Sequence, residues 1–218
     1  MANIDGGIEW ELTSSMLRIS PSYNPEPGYE RGEMKDYDYE EPPWGTIKTD
    51  GTMLTILHEV TNIGNRAFHD CTGFYDVALS SSVEYIGQAA FAGCTGFEHP
   101  LRIPASVKGI DSDAFYDCPN IEEIRFEGRD CEVDYYAFTL NTKEPKKTYD
   151  VYSPGNWAQG KLEQSAFTEF EFHDSGPVSP NTAWVKINGE WKKGTMWKNI
   201  NGTWKSGEPR AKINGQWK

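Results

Sequence analysis

The chain has 218 residues, of which 37% are hydrophobic and 13% aromatic, a mixture that supports one or two folded domains and excludes a mostly disordered chain. No apolar stretch approaches the roughly 18 residues that a membrane span needs. Four cysteines are too few for a disulfide scaffold.

The formal net charge of −12 is unevenly spread along the chain. Residues 183–218 carry eight Lys or Arg against two Glu, which gives +6 and leaves −18 on the rest. This split predicts two domains of different character, and the acidic bulk argues against a nucleic-acid partner, because phosphate binding needs a cationic surface. The first thirty residues lack a basic start followed by an apolar run. We therefore expect either a protein that works without Sec export or one whose signal has been removed, and no membrane partner.

An internal repeat dominates the middle of the chain. An Ala-Phe pair recurs at intervals of 23, 24 and 23 residues, ending at Phe68, Phe91, Phe115 and Phe138. Two further columns keep this step, one with Ile63, Ile86, Ile110 and Val133 and one with Cys71, Cys94 and Cys118. Units this small cannot bury their own apolar face. We therefore expect them to stack into a right-handed solenoid with one shared core, in which the cysteines are buried and reduced.

Each repeat continues into a short predicted strand whose last apolar residues alternate with an outward one. The predicted strands lie near Leu54–Leu57, Val77–Leu79, Leu101–Ile103 and Ile124–Phe126. The predicted fold class is mainly β: a solenoid with a parallel sheet and short helical turns, followed by a small antiparallel β-hairpin module.

The repeat motif, VxxIGxxAFxxCTxL followed by a strand, resembles the BspA-like (Treponema-type) leucine-rich repeats, with Phe74 and Phe97 in place of the usual leucine. The preceding region resembles the segment that often comes before such repeats. Trp10–Leu12 with Met16–Ile19 looks like its opening hairpin, and residues 32–37 and 42–44 look like its GxMxDY and PPW elements. Family members are mostly exported bacterial surface proteins of adhesion or ligand binding, which implies a binding function for residues 6–173.

The predicted domains are an N-terminal hairpin and cap region (1–52), the leucine-rich-repeat solenoid (53–173), a linker (174–182) and a Trp-rich hairpin module (183–218). Residues 139–161 break the period. Within them, residues 139–148 are polar and predict a surface loop, and Trp157 is a candidate cap. A degenerate fifth copy of the repeat follows at Leu162–Phe167.

Three copies of Asn-Gly-x-Trp-Lys begin at Asn188, Asn201 and Asn214. Asn-Gly favours a two-residue type I′ turn, so each copy predicts a hairpin, with Ile187 opposite Glu190 and Lys186 opposite Trp191 in the first. The stretch resembles choline-binding hairpin repeats, although this chain has Lys where those carry a second aromatic. The copies also resemble the C-terminal tails of phage structural proteins from gut Firmicutes.

Five of the eight tryptophans lie in this module, at Trp184, Trp191, Trp197, Trp204 and Trp217. The simpler interpretation is a small hydrophobic core, because a module without disulfides needs large side chains to fold. The alternative is an aromatic platform that binds a sugar or a quaternary ammonium.

Catalytic motifs are absent from the sequence. The histidines His58, His69, His99 and His173 are scattered, no GxSxG, HExxH or phosphate loop occurs, and no His/Cys cluster has metal-ligand spacing. The acidic run Glu33–Glu41 could hold a cation, but a solvated loop is the simpler interpretation. We therefore expect no enzymatic activity, no catalytic residue, no cofactor and no metal site.

The outward residues of the predicted sheet form the candidate binding surface, because a solenoid presents its sheet as an extended surface. Their column runs through Thr55, Ala78, Arg102 and Arg125, with Tyr75 beside it. Tyr75, Arg102, Arg125 and the five module tryptophans are the predicted contacts for a ligand or partner. A solvated surface with cross-strand charge pairs is the simpler interpretation.

The sequence supports three functional hypotheses. The first is a bacteriophage virion surface component (fibre, decoration or tail tip) that binds a host surface or other virion proteins. The second is a bacterial cell-surface adhesin, which would be extracellular, and the third is a structural spacer. The expected partners are a protein or glycan on a host surface, other virion proteins and further copies of the chain, as a trimer if the protein is a fibre.

Overall fold

A computed structural model describes most of the chain and shows a mainly β protein in which parallel sheets form a solenoid, as the sequence predicts. The described residues are 3–38, 40–48, 51–134, 136–140, 147–154, 158, 162 and 168–175, together with the backbone of six C-terminal strands. Trp157, residues 141–146 of the predicted loop and the predicted fifth copy except Leu162 lie outside them.

The strands before the C-terminal module are β1 (Asn3–Asp5), β2 (Ile8–Leu12), β3 (Met16–Pro21), β4 (Thr52–Ile56), β5 (Asn62–Ile63), β6 (Phe74–Ala78), β7 (Tyr85–Ile86), β8 (Leu101–Ile103), β9 (Gly109–Ile110), β10 (Glu123–Phe126), β11 (Glu132–Val133), β12 (Lys147–Ser153) and β13 (Thr168–Asp174). The module adds β14 (Thr182–Ile187), β15 (Glu190–Thr195), β16 (Trp197–Ile200), β17 (Thr203–Ser206), β18 (Lys212–Ile213) and β19 (Gln216–Trp217).

The long side of the solenoid carries the predicted parallel strands in two sheets. One has the order β1-β2-β3-β4-β6, with β3, β4 and β6 parallel, and the other is the all-parallel β8-β10-β12-β13. The two sheets meet at β6 and β8, where the ladder is interrupted and Glu98 donates its N–H to the carbonyl of Tyr75 at 2.9 Å. Pro100, just before β8, has no N–H with which to continue the ladder.

A short parallel sheet, with the order β11-β9-β7-β5, runs along another side of the solenoid. It consists of two-residue strands, and its buried column is the repeated aliphatic position, Ile63, Ile86 and Ile110, with half-buried Val133 at its end. The sequence predicts the column but not the strand pairing, because two residues are too few to show an alternating pattern.

The segment between β5 and β6, and its equivalents in the later repeats, does not form the short helical turns that the sequence predicts. From Arg66 to Asp70, alternate N–H groups donate to the next repeat rather than along a helix: Arg66 to Gln88, Phe68 to Ala90 and Asp70 to Ala92, at 2.7–2.9 Å. Arg66 and Asp70 also have φ of 56° and 57°, a left-handed conformation that a right-handed helix excludes. The next repeats show the same pairing and left-handed positions, so all three sides of the solenoid are hydrogen-bonded between repeats.

The core is one continuous cluster in which equivalent residues of successive repeats stack, as predicted. Phe68 and Phe91 have ring centroids 5.2 Å apart, and Phe115 and Phe138 continue the stack at 5.1 Å per step. All four cysteines are buried, and none of them forms a disulfide. The thiols of Cys94 and Cys118 each donate to the carbonyl of a stacked Phe one repeat earlier, at 3.1 Å.

The N-terminal region continues the solenoid by one rung. The predicted hairpin is confirmed, since β2 and β3 pair antiparallel with Trp10 opposite Ile19. Residues 32–37 lie against β5, where Asn62 exchanges two hydrogen bonds of 2.9 Å with the backbone of Met34. Trp44 stacks on Phe68 at 5.5 Å and donates its indole N–H to the carbonyl of Ala67. This cap closes the open end of the core.

The C-terminal module contains the three predicted antiparallel hairpins, β14-β15, β16-β17 and β18-β19. Their registers are those that two-residue turns require, with Ile187 opposite Glu190, Ile200 opposite Thr203 and Ile213 opposite Gln216. The Asn-Gly residues and the tryptophan side chains lie outside the described residues.

Candidate functional surface

The outward side of the β8-β10-β12-β13 sheet carries a row of four planar polar side chains, one from each strand. Arg102 of β8 is in register with Arg125 of β10, Arg125 with Tyr152 of β12, and Tyr152 with His173 of β13. We call these four residues the Arg–aromatic row. They share one side of the sheet because they are in register and side chains alternate along each strand. The residues before and after each of them on its own strand point to the opposite side.

Three members of the row are stacked on one another. The guanidinium of Arg125 lies 4.4 Å from the centroid of the Tyr152 ring, a cation–π contact. Tyr152 and His173 stack with centroids 4.6 Å apart and planes 21° apart. These contacts hold three flat groups side by side at the surface of the sheet.

The two arginines of the row differ in their electrostatic environment. Arg125 donates a hydrogen bond to Glu123, and this bond raises the pKa of the guanidinium above its usual value. Arg102 is exposed and forms no ion pair with any described residue. Arg102 is therefore the cation of the row that is available to an incoming carboxylate, hydroxyl or carbonyl group.

A cavity of about 390 Å³ lies beside Arg102, where the two long sheets separate. Its lining includes Asp76, His99, Pro100 and Glu127. The rings of Tyr75 and His99 form a T-shaped pair with centroids 5.7 Å apart. The cavity thus adds aromatic and acidic groups to the end of the Arg–aromatic row.

The structure brings together the three predicted contact residues of the solenoid. Arg102 lines the cavity, Tyr75 contacts His99 of the cavity lining, and Arg125 follows Arg102 on the next strand. Sequence analysis missed Tyr152 and His173 because it ended the repeats at residue 139 and assigned Lys147 and Thr148 to a loop, whereas both lie in β12. The available signal was the alternation of polar and apolar residues in Asp150–Tyr152 and Glu171–His173.

The acidic side chains of the run Glu33–Glu41 are largely exposed, as the simpler interpretation predicts, and one of these carboxylates also makes a structural contact. Asp36 accepts the N–H of Asn65 at 2.8 Å and so joins the cap to the first repeat. Lys35 bridges Asp5 and Glu26 at 2.9 and 2.6 Å, and these contacts raise its pKa.

A second, acidic cavity of about 640 Å³ lies on the short sheet and is lined by Tyr85, Lys108, Gly109, Ile110, Asp111, Asp130, Glu132, Val133 and Asp134. Partial desolvation, reinforced by the charges of Asp134 and Asp36, raises the pKa of Asp111. This concentration of negative charge makes the surface unfavourable for phosphate groups.

The repeats match a known protein family, and the fold resembles one solved structure. Residues 48–150 match the family described as BspA type leucine rich repeat region, in six copies. A crystal structure of a leucine rich cell surface protein from Faecalibacterium prausnitzii A2-165 is similar to 77% of this chain, with 17% identity and a TM-score of 0.39. The chain spans 38% of the length of that protein. No curated protein matched the chain.

None of the helices in the described residues is long and apolar enough to cross a lipid bilayer.

Proposed function

We propose that this protein is a non-enzymatic, adhesin-like binding protein that acts at a surface and recognises a protein or glycan through the Arg–aromatic row. The observation that carries the proposal is the combination of an uncommitted, exposed Arg102 with the stacked Arg125, Tyr152 and His173. Arginine and tyrosine are among the residue types that most often dominate binding energy at protein interfaces. Planar donors and the polar atoms of the rings also suit the hydroxyl groups of sugars.

Preorganisation supports this role. The row is built on strands rather than loops, and the contacts within it fix three of its four side chains before a ligand arrives. Binding therefore costs little side-chain entropy, which leaves more of the contact energy for affinity. The neighbouring cavity supplies the concave element that orients a ligand along the row.

The finer proposal is that the protein works on the surface of a bacteriophage virion, with the solenoid facing the host and the Trp-rich module attached to the virion. The NGxWK copies support it. The alternative, a bacterial cell-surface adhesin, is favoured by the match of the repeats to the BspA type family. The genes that flank the coding sequence, read for capsid and tail proteins, discriminate between these two locations.

The test is binding of the purified full chain to a glycan array and to fixed cells of gut Firmicutes. Arg102→Ala and Tyr152→Ala each remove one central contact and should weaken binding at least about tenfold. Arg129→Ala removes an exposed arginine outside the row and serves as the matched control. Wild-type affinity in both row variants would contradict the proposal, as would the absence of binding to every glycan and cell tested.

A further inference from the structure

A mixed cluster of one imidazole and two carboxylates lies at the last described rung of the solenoid. Asp150 of β12 is in register with Glu171 of β13, and His173 follows Glu171 by two residues on the same side of the strand. One oxygen or nitrogen atom from each of the three side chains lies within 4.8 Å of the others. We propose that Asp150, Glu171 and His173 form a binding site for a divalent transition-metal ion of the Zn²⁺ class.

The charges across the strands favour a bound cation. Glu123, Asp150 and Glu171 face one another on three adjacent strands, and like charges directly opposite destabilise a sheet. Arg125 engages Glu123, which leaves Asp150 and Glu171 with no Lys or Arg partner among the described residues. A divalent ion between Asp150 and Glu171 would replace their repulsion with two attractive contacts.

The geometry suits one small ion. Ligand atoms bound to Zn²⁺ lie about 2.0–2.2 Å from it, so that two donors sharing the ion are separated by about 3–4 Å. The exposed carboxylates of Asp150 and Glu171 need only small rotations to reach that spacing. Without metal, the Nε2 atom of His173 lies 2.9 Å from an Asp150 oxygen. The ion would take the place of this hydrogen bond.

The donor set selects the class of ion. An imidazole nitrogen with two carboxylates suits Zn²⁺ and its first-row neighbours, whereas Ca²⁺ and Mg²⁺ prefer oxygen ligands alone. The stacked ring of Tyr152 fixes the plane of His173, which serves the same purpose as the outer contacts that orient metal-binding histidines. Three protein ligands also leave positions open to solvent.

The sequence predicts no metal site because it has no group of ligand residues at the short spacings typical of metal sites. Glu171 and His173 are 21 and 23 residues from Asp150, and only the parallel pairing of β12 with β13 brings them together. The metal site shares His173 with the Arg–aromatic row but does not use Arg102. Metal titration tests the site without any ligand of the row, so failure of one proposal leaves the other intact.

The experiment is calorimetric titration of tag-free full chain with ZnCl₂, and separately with MgCl₂ and CaCl₂, followed by thermal melting with and without Zn²⁺. We expect one Zn²⁺ per chain, a melting temperature raised by Zn²⁺, and at least about tenfold weaker binding in His173→Gln and in Glu171→Gln. His58→Gln removes an exposed histidine elsewhere and should bind as wild type does.

A Zn²⁺-dependent shift of the His173 ring nitrogens in NMR spectra would identify the ligand directly. The absence of saturable Zn²⁺ binding, equal weakening by His58→Gln and His173→Gln, or preference for Ca²⁺ would each overturn the site. Glu171→Gln changes an exposed side chain, and far-UV circular dichroism shows whether each variant keeps its fold.

Discussion

The rings of Phe91 and Phe115 lie 5.1 Å apart with their planes only 5° from parallel, and Phe115 stands in the same relation to Phe138. The spacing is set by the distance between hydrogen-bonded strands, which is about 4.8 Å. Each phenylalanine therefore fills the gap above its neighbour, and no repeat has a core of its own. The stability of each repeat depends on the repeats beside it.

Truncation in the middle of this stack should destabilise the whole solenoid. Phe91→Ala removes a fully buried ring with partners above and below, so we expect a loss of about 3–5 kcal/mol in the free energy of unfolding. Urea denaturation followed by circular dichroism measures it. Tyr23→Ala, at a ring that is 77% exposed, is the control and should cost less than about 1 kcal/mol. Equal losses in the two variants would show that the stack is not the core.

Trp44 should protect the end of the same stack from solvent. Trp44→Phe keeps a ring over Phe68 but leaves the carbonyl of Ala67 without its indole donor, which should cost about 1–3 kcal/mol. Trp44→Ala should cost more, because it also exposes Phe68 at the end of the core. Urea midpoints of the two variants should fall in that order. A Trp44→Ala variant as stable as Trp44→Phe would mean that the cap does not close the core.

The sequence predicts the repeated parts of this fold well, because residues at equivalent positions of the internal repeats occupy equivalent positions in the core. Phe68, Phe91 and Phe115 needed only their spacing for the stack to be predicted. The left-handed position of Asp70 recurs at Gly93 and Asp117, residue types that favour this conformation, whereas Arg66 and Ala89 give no such signal. The turns were predicted as helical because this column was not recognised as left-handed.

The candidate sites were less predictable than the core. Arg102 and Arg125 belong to regular repeats, and their alignment across the strands followed from the period. Tyr152 and His173 lie beyond an irregular segment whose length no repeat sets. Their place in the row follows from the pairing of β10, β12 and β13, which is a tertiary contact.

The buried cysteines should be unreactive in the folded protein. Burial raises the pKa of Cys71 to about 11 and those of Cys94 and Cys118 above the usual value, so little thiolate exists at pH 8. We expect iodoacetamide to label no cysteine of the native chain within the time that labels all four in guanidinium. Mass spectrometry counts the labels. A Cys71–Cys94 disulfide would contradict this prediction, as stacked parallel side chains rarely reach disulfide geometry.

The acidic cavity predicts a stabilising substitution. Because the pKa of Asp111 is raised in the folded chain, ionising this carboxyl costs the folded state more than the unfolded state. The penalty is complete above the folded pKa and vanishes below the unfolded value of 3.8. Asp111→Asn should therefore raise the melting temperature at pH 7, and the gain should shrink as the pH falls towards 3.8. Glu122→Gln, at an exposed carboxylate on the long side, is the control for general loss of negative charge.

The C-terminal hairpins should serve assembly rather than folding of the solenoid. Each hairpin is its own two-stranded sheet, and isolated hairpins are at best marginally stable. We propose that they gain stability by packing against other copies of the chain, as a trimer if the protein is a fibre, or against a partner. A chain ending at residue 181 keeps every strand of the solenoid through β13, so it should melt cooperatively with an unchanged parallel-sheet spectrum. Light scattering should then report a monomer for the truncated chain and an oligomer for the full one. If both have the same mass in solution, assembly does not depend on the Trp-rich module.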